Sequence, residues 1–328
     1  MRTLILDVAV TRGDTVESRH RVHAAVVEGD QLVSSARDPK LVTMWRSCAK
    51  PFQVMPLLHS GAFDSLGWGS EELALACASH GGEPEHVAVA QRMLASIGLE
   101  EGDLACGPHE PLSHRGAKLW RESGAPLTRL HNNCSGKHSA MLARAHTMGW
   151  PTVGYQSIEH PVQRACVGEV SCWSGVPLDD MALGVDGCSA AVMALPLDRM
   201  ALAYARFGAA VQAHDELPSL IWNALISHPH LVGGTDRFDT IILQETQGRV
   251  FAKVGAEGVH TVMIPERKLG FAIKVEDGAA RAQHAAVVEM LRLVGFFDEL
   301  PPRLVDFVHK PVKNTRGERV GELRMVRD

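Results

Sequence analysis

Arg46-Ser47-Cys48-Ala49-Lys50-Pro51 sets a hydroxyl and an amine three residues apart, a spacing that puts both on one face of a helical turn. A serine hydroxyl attacks poorly until a base takes its proton, and a desolvated, neutral lysine can be that base. Lysine ordinarily titrates near ~10.4, so burial or a neighbouring cation must lower its pKa before it serves at neutral pH. Pro51 works against the simple picture, because the residue before a proline is pushed away from helical dihedrals. Alone, the motif reads more simply as a helix start, with Ser47 as its N-cap and Lys50 in solvent.

Three further groups could carry chemistry. Cys77-Ala78-Ser79-His80-Gly81-Gly82-Glu83 follows a helical segment, and its paired glycines permit positive φ and close approach of backbone to a ligand, or simply end the helix. His131-Asn132-Asn133-Cys134-Ser135-Gly136-Lys137-His138 puts Cys134, Lys137 and His138 on one helix face, and Val185-Asp186-Gly187-Cys188 could join them from a distant loop. The general metal reading is zinc through Cys134, His138 and Cys188, since lysine is normally protonated; buried thiols beside a hydrogen-bonded histidine are the other reading. In Lys253-Val254-Gly255-Ala256-Glu257-Gly258, a lysine ends a strand before a glycine-rich turn, where it projects into a cleft or into solvent. Each group is weak alone, and their joint occurrence is the informative part.

These groups need elements to position them. Strand-like alternation runs through 4–11, 21–28 and 31–36, with Glu28-Gly29-Asp30 as a turn. From 51 to 175 the period becomes helical. Ser70 before Glu71 and Glu72 reads as an N-cap, and amphipathic helices are expected over 84–98, 139–149 and 160–175, each ending at glycine. A small-and-apolar run, 184–195, follows Leu183 and carries Asp186; helices are expected over 197–214 and 217–228. Strands return at 240–243, 249–253, 259–264 and 269–275, then a long helix at 278–295 and a polar tail with Asn314-Thr315-Arg316-Gly317. The pattern predicts an α/β (α+β) fold in which distant segments complete an antiparallel sheet. The chain reads as a single unit, 1–328, with sheet-bearing parts at about 1–50 and 235–328 and a helical region at about 51–234.

Composition excludes several functions. With 33 Lys+Arg against 38 Asp+Glu the net charge is −5, which lacks the basic footprint of a nucleic-acid binder, and aromatics at 5% leave little for base stacking. Hydrophobic content of 45% and charged content of 22% are those of an ordinary globular protein. The most apolar later stretch, 181–197, contains Asp186 and Pro196 and falls short of the ~20 residues a membrane span needs. Seven cysteines, an odd number, fit free thiols in a reducing compartment, so the cytoplasm is expected.

In combination and in this order, Arg46-Ser47-x-x-Lys50-Pro51, Ala78-Ser79-His80-x-Gly82, Cys134-Ser135-Gly136-Lys137-His138, Asp186-Gly187-Cys188 and Lys253-x-Gly255-Ala256-Glu257-Gly258 resemble the L-asparaginase II family, typified by the rhizobial inducible enzymes. The resemblance implies a fold like serine β-lactamases, penicillin-binding proteins and serine-type glutaminases, and a homodimer. It implies two Ser–Lys pairs, Ser47 with Lys50 and Ser79 with Lys253, without saying which serine attacks. It also implies one zinc per subunit, held by Cys134, Lys137 and Cys188, which displaces His138 toward the substrate. His80, Gly82, Asn133 and His138 are then expected beside L-asparagine. By charge, Arg46 suits the α-carboxylate and Asp186 or Glu257 the α-ammonium. Backbone N–H groups at the attacking serine and near the glycine-rich turns are natural oxyanion donors.

The rival readings are a serine-type glutaminase, a β-lactamase-like amidohydrolase, a zinc deaminase and a non-catalytic amino-acid sensor. The S-D-N and K-T-G motifs of β-lactamases are absent as such, and so is the H-x-E…P-C-x-x-C spacing of the deaminases.

Overall fold

Alternation decides the central layer. In the strand Val22–Glu28, Ala24 and Val26 belong to one apolar cluster while Ala25 and Val27 belong to another, so this strand is covered on both faces. The computed structural model describes residues 1–326. Its main sheet has six strands in the order Arg2–Thr3, Gln31–Ala36, Val22–Glu28, Leu269–Val275, Val259–Ile264, Phe251–Val254, antiparallel except for the short first pair. Strands from the two halves of the chain therefore form two blocks that join along one seam, Val22–Glu28 against Leu269–Val275, and the fold is mixed α/β as expected. The helix Leu197–Gln212 packs across Leu269–Val275 and Val22–Glu28 on one face. On the other lies Ala280–Leu293, with nearly every inward residue buried.

Three expectations are corrected. Residues 240–243 are part of a helix, Phe238–Glu245. Phe238, Ile241 and Ile242 stand at i, i+3 and i+4 and enter the same cluster, so tertiary burial outweighs the strand preference of the β-branched run. The first strand is split: Arg2–Thr3 joins the main sheet, and Val8–Arg12 joins a second sheet of order His309–Lys313, Arg319–Met325, Val8–Arg12, Thr15–His20. The polar tail is thus the turn of a hairpin that returns to the chain start. Ser70 is not the cap of its helix; Gly69 is, and its N–H donates to the Glu72 carboxylate at 2.8 Å.

The helical region also contributes strands. Ala182–Val185 and Ala191–Pro196 form a three-stranded sheet with Val42–Met44, and this sheet leads directly into the Arg46-Ser47 turn on one side and carries Asp186 and Cys188 on the other. Among the described residues no helix is long and apolar enough to cross a membrane.

Candidate active site

The helix Lys50–His59 starts at Lys50 itself, after a 3₁₀ turn over Arg46–Ala49. Lys50 has φ −56° and ψ −40°, so Pro51 does not displace it from helical dihedrals. Pro51 sits in the first turn, where no N–H donor is needed. Lys50 is 1% exposed. It donates to Ser79 Oγ at 3.0 Å, to the Asn133 carbonyl at 3.1 Å and to the Ala78 carbonyl.

Lys253, on the strand Phe251–Val254, is fully buried and donates to the same Ser79 Oγ at 2.8 Å. Ser79 follows the helix Ser70–Ala76 and is itself buried. The geometry is therefore one hydroxyl between two amines. No hydrogen bond joins Ser47 to Lys50 among the described residues; Ser47 is half-buried on the wall of the same cavity.

Burial pushes the Lys253 pKa down; the Asp239 carboxylate partly opposes this and the Lys50 charge adds to it, leaving a value of about 8. Asp239 is 3.7 Å from Lys253 Nζ and 3.2 Å from His260 Nε2. Its own burial would raise its pKa, yet His260 and Lys253 hold it down at about 2. Beneath Lys253, the Cys48 thiol donates to the Lys253 carbonyl at 3.0 Å, and burial drives its pKa up to about 12. It is a packed thiol and no nucleophile.

A cavity of about 380 Å³ opens over Ser79, walled by Arg46, Ser47, Asn133, Cys134, Asp186 and Cys188. Arg46 and Asp186 pair on that wall, Nε to Oδ1 at 2.9 Å. Arg46 has φ +54°, an uncommon left-handed conformation for a non-glycine residue, immediately before Ser47.

Several expected residues lie elsewhere. His80 is fully buried behind the site, with Nε2 2.9 Å from Ser135 Oγ and its ring stacked on His86. Adjacency to Ser79 turned it to the opposite side of the chain. Gly82 has φ +70° and packs on Pro111, where any Cβ would be crowded; it turns the chain and does not line the cavity. Glu257 is exposed at a left-handed turn position, φ +59°, outside the cavity lining. The Gly255 N–H, a candidate oxyanion donor, is taken by the Val259 carbonyl at 2.7 Å.

Three lining or supporting residues escaped the sequence reading. His109 lines the cavity and accepts the Asn133 N–H at 2.9 Å; Arg237 also lines it. Neither stands in a motif. Asp239 did leave a signal, an acid inside the apolar run Phe238-Asp239-Thr240-Ile241-Ile242.

The residues that could hold a metal stand together at the cavity wall. Lys137 Nζ lies 3.1 Å from Cys188 Sγ. Contact with Cys134, then with Lys137, pulls the Cys188 thiol strongly toward thiolate, while the same sulfur contact and burial push Cys134 up. His138 donates to or accepts from Tyr155 at 2.6 Å through Nδ1, and its buried Nε2 has no hydrogen-bond partner among the described residues. Two soft sulfurs, an amine and an orphaned imidazole nitrogen fit a thiophilic ion such as zinc, with Lys137 deprotonated if it ligates. A second group, Glu83, Glu85 and His230, brings ligand atoms within 4.8 Å of one another, but Arg115 already bonds both carboxylates.

No curated protein sequence matches the chain. Among solved structures, a Bacillus subtilis glutaminase in covalent complex with 5-oxo-L-norleucine, formed by reaction with 6-diazo-5-oxo-L-norleucine, is similar at 12% identity. That match covers 82% of this chain and 88% of that one, with a TM-score of 0.34. The family model for L-asparaginase II matches residues 8–325, a span that takes in every side chain of the site from Arg46 to Lys253. The chain belongs to the L-asparaginase II family of amidohydrolases.

Proposed function

We propose that the protein hydrolyses L-asparagine to L-aspartate and ammonia by nucleophilic catalysis at a serine served by lysine. The observation that carries this reading is the Ser79 hydroxyl, held at 3.0 and 2.8 Å between two buried amines. Lys253, with its pKa near 8, is the amine that is free at mildly alkaline pH. Ser79 Oγ attacks the side-chain amide carbon as its proton passes to Lys253 Nζ. The resulting ammonium returns that proton to the departing nitrogen, which leaves as ammonia. Water then attacks the acyl ester, giving its proton to the same amine, and Ser79 recovers it as aspartate departs. Lys50, anchored by two carbonyls, donates to the reacting oxygen and steadies the negative charge that develops there.

Arg46 and Asp186, paired on the cavity wall, carry charges opposite to those of the α-carboxylate and α-ammonium, and the substrate takes them over by exchange of partners. A zinc ion held by Cys134, Lys137 and Cys188, one per subunit, would supply a fixed positive centre for positioning or structure, its charge largely balanced by the two thiolates. Metal removal that left both KM and Tm unchanged would sink that part. The kinship with serine β-lactamases and serine glutaminases belongs to the same proposal, supported by a sheet assembled from both chain ends and flanked by helices.

One observation favours a second assignment of the nucleophile. The left-handed Arg46 costs about 1–3 kcal/mol and presents Ser47 to the cavity at a helix start, as strained turns often present nucleophiles. In that version Ser79 relays protons between the lysines. The test is ammonia release from L-asparagine and L-glutamine, followed by trapping with the diazo-ketone analogue of asparagine, 5-diazo-4-oxo-L-norvaline, and peptide mapping. An adduct on Ser79, with turnover abolished in Ser79→Ala, is the expected result. An adduct on Ser47 moves the attack there. A folded protein that releases no ammonia from either amide overturns the function. Preference between the two amides rests on a single methylene, ~1–3 kcal/mol of discrimination.

A further inference from the structure

The two lysines on Ser79 raise a question of charge. Two amines at one buried oxygen repel wherever both carry a proton; Lys50 is anchored by two carbonyls and Lys253 by the Val254 carbonyl at 3.0 Å, and none of these supplies a balancing charge. The titratable groups facing Lys253 are Lys50 from the helix start, Cys48 from the preceding turn, Cys77 at the end of its helix, Cys134 from the metal-binding group, and Asp239 from the helix Phe238–Glu245. Burial keeps the Cys48 and Cys77 thiols neutral, their pKa values pushed up to about 12. Cys134 is also pushed up, by contact with Cys188 and by burial. Asp239 is the one carboxylate in that set.

Its placement is specific. Oδ2 accepts the Val254 N–H at 2.9 Å, which ties the carboxylate to the strand end that carries Lys253, and the same oxygen stands 3.7 Å from Lys253 Nζ. Oδ1 faces His260 Nε2 at 3.2 Å; His260 lies directly opposite Val254 on the neighbouring strand, fully buried, with no hydrogen bond to either ring nitrogen among the described residues. A side cavity of about 90 Å³ touches both Ser79 and Asp239 from behind.

We propose that Asp239 is a positioning residue for Lys253: its carboxylate, tied to the Val254 N–H, holds the amine on Ser79 and sets the pH at which that amine becomes free. The proposal deepens the reading of Ser79 and its lysines and rests on it. A carboxylate at this distance favours the ammonium form, so removing its charge lets Lys253 deprotonate at lower pH.

The experiment is a carbon NMR titration of full-length protein labelled at lysine Cε, which has nine lysines to resolve. In Asp239→Asn the Lys253 midpoint moves down by at least about one pH unit, and the acid limb of kcat/KM for L-asparagine moves with it. Asp239→Glu, which restores the charge, returns the midpoint toward wild type; a purely structural role would not. An unmoved midpoint in folded Asp239→Asn overturns the proposal. A measurement on the unaltered protein avoids dependence on that variant's folding: the Asp239 carboxyl carbon shifts in step with the Lys253 titration, and absence of that inflection equally overturns it. Because the titration uses no substrate, failure of the asparaginase reading shows separately, as missing ammonia release.

Discussion

Ser79 shows what a single side chain can and cannot reveal before its neighbours are known. The motif at 46–51 sets a serine and a lysine side by side in sequence, but the hydroxyl that Lys50 meets comes from the end of another helix and no spacing within 46–51 encodes it. His80 misleads for the same reason in reverse: it is adjacent in sequence, yet its ring is committed to Ser135. Glu257 was suggested by charge alone, and its turn holds it in solvent. Lys253 yields a sharp expectation for pH. Its folded pKa is lowered to about 8, and the productive form is the free amine, so kcat/KM for asparagine rises with pH and levels off above about 8. A profile flat from pH 6 to 9 would exclude Lys253 as the base.

At the scale of elements, legibility follows local consistency. The strands Gln31–Ala36, Val259–Ile264 and Leu269–Val275 are where the alternating pattern puts them, because propensity, turn residues and burial agree. The helix Phe238–Glu245 is hidden because all of Phe238–Leu243 is buried, which removes the periodic contrast, and its β-branched residues argue for a strand. Misreading it also concealed Asp239. The helix Ser135–Thr147, which carries Lys137 and His138, crosses Ser70–Ala76 so closely that a Cβ on Gly136 would overlap the Leu75 carbonyl. Gly136→Ala therefore forces the two helices apart. The expected cost is about 1–3 kcal/mol, read as a lower urea midpoint, with turnover reduced because Ser79 and Cys134 hang from those helices. An unchanged midpoint would show that the crossing has slack.

For the whole molecule, a homodimer is what the resemblance implies, and the small three-stranded sheet leaves Val42, at 58% exposure, and Met44, at 36%, uncovered on one face, where such a contact would form. Val42→Glu is expected to convert a sedimenting dimer to monomer; if the wild type sediments as a monomer, the placement fails. The main sheet, built from both chain ends, has a different kind of consequence, one of timing. Ser79 and Lys253 are 174 positions apart, and the strand bearing Lys253 sits at the sheet edge, paired only with Val259–Ile264, which is made after it. During synthesis Ser79 and the helix before it emerge well before these strands. No nascent fragment ending before Phe251 holds both amines, so the placement of Ser79 between them completes only after Val259–Ile264 and Leu269–Val275, which seat that strand in the sheet, have been made.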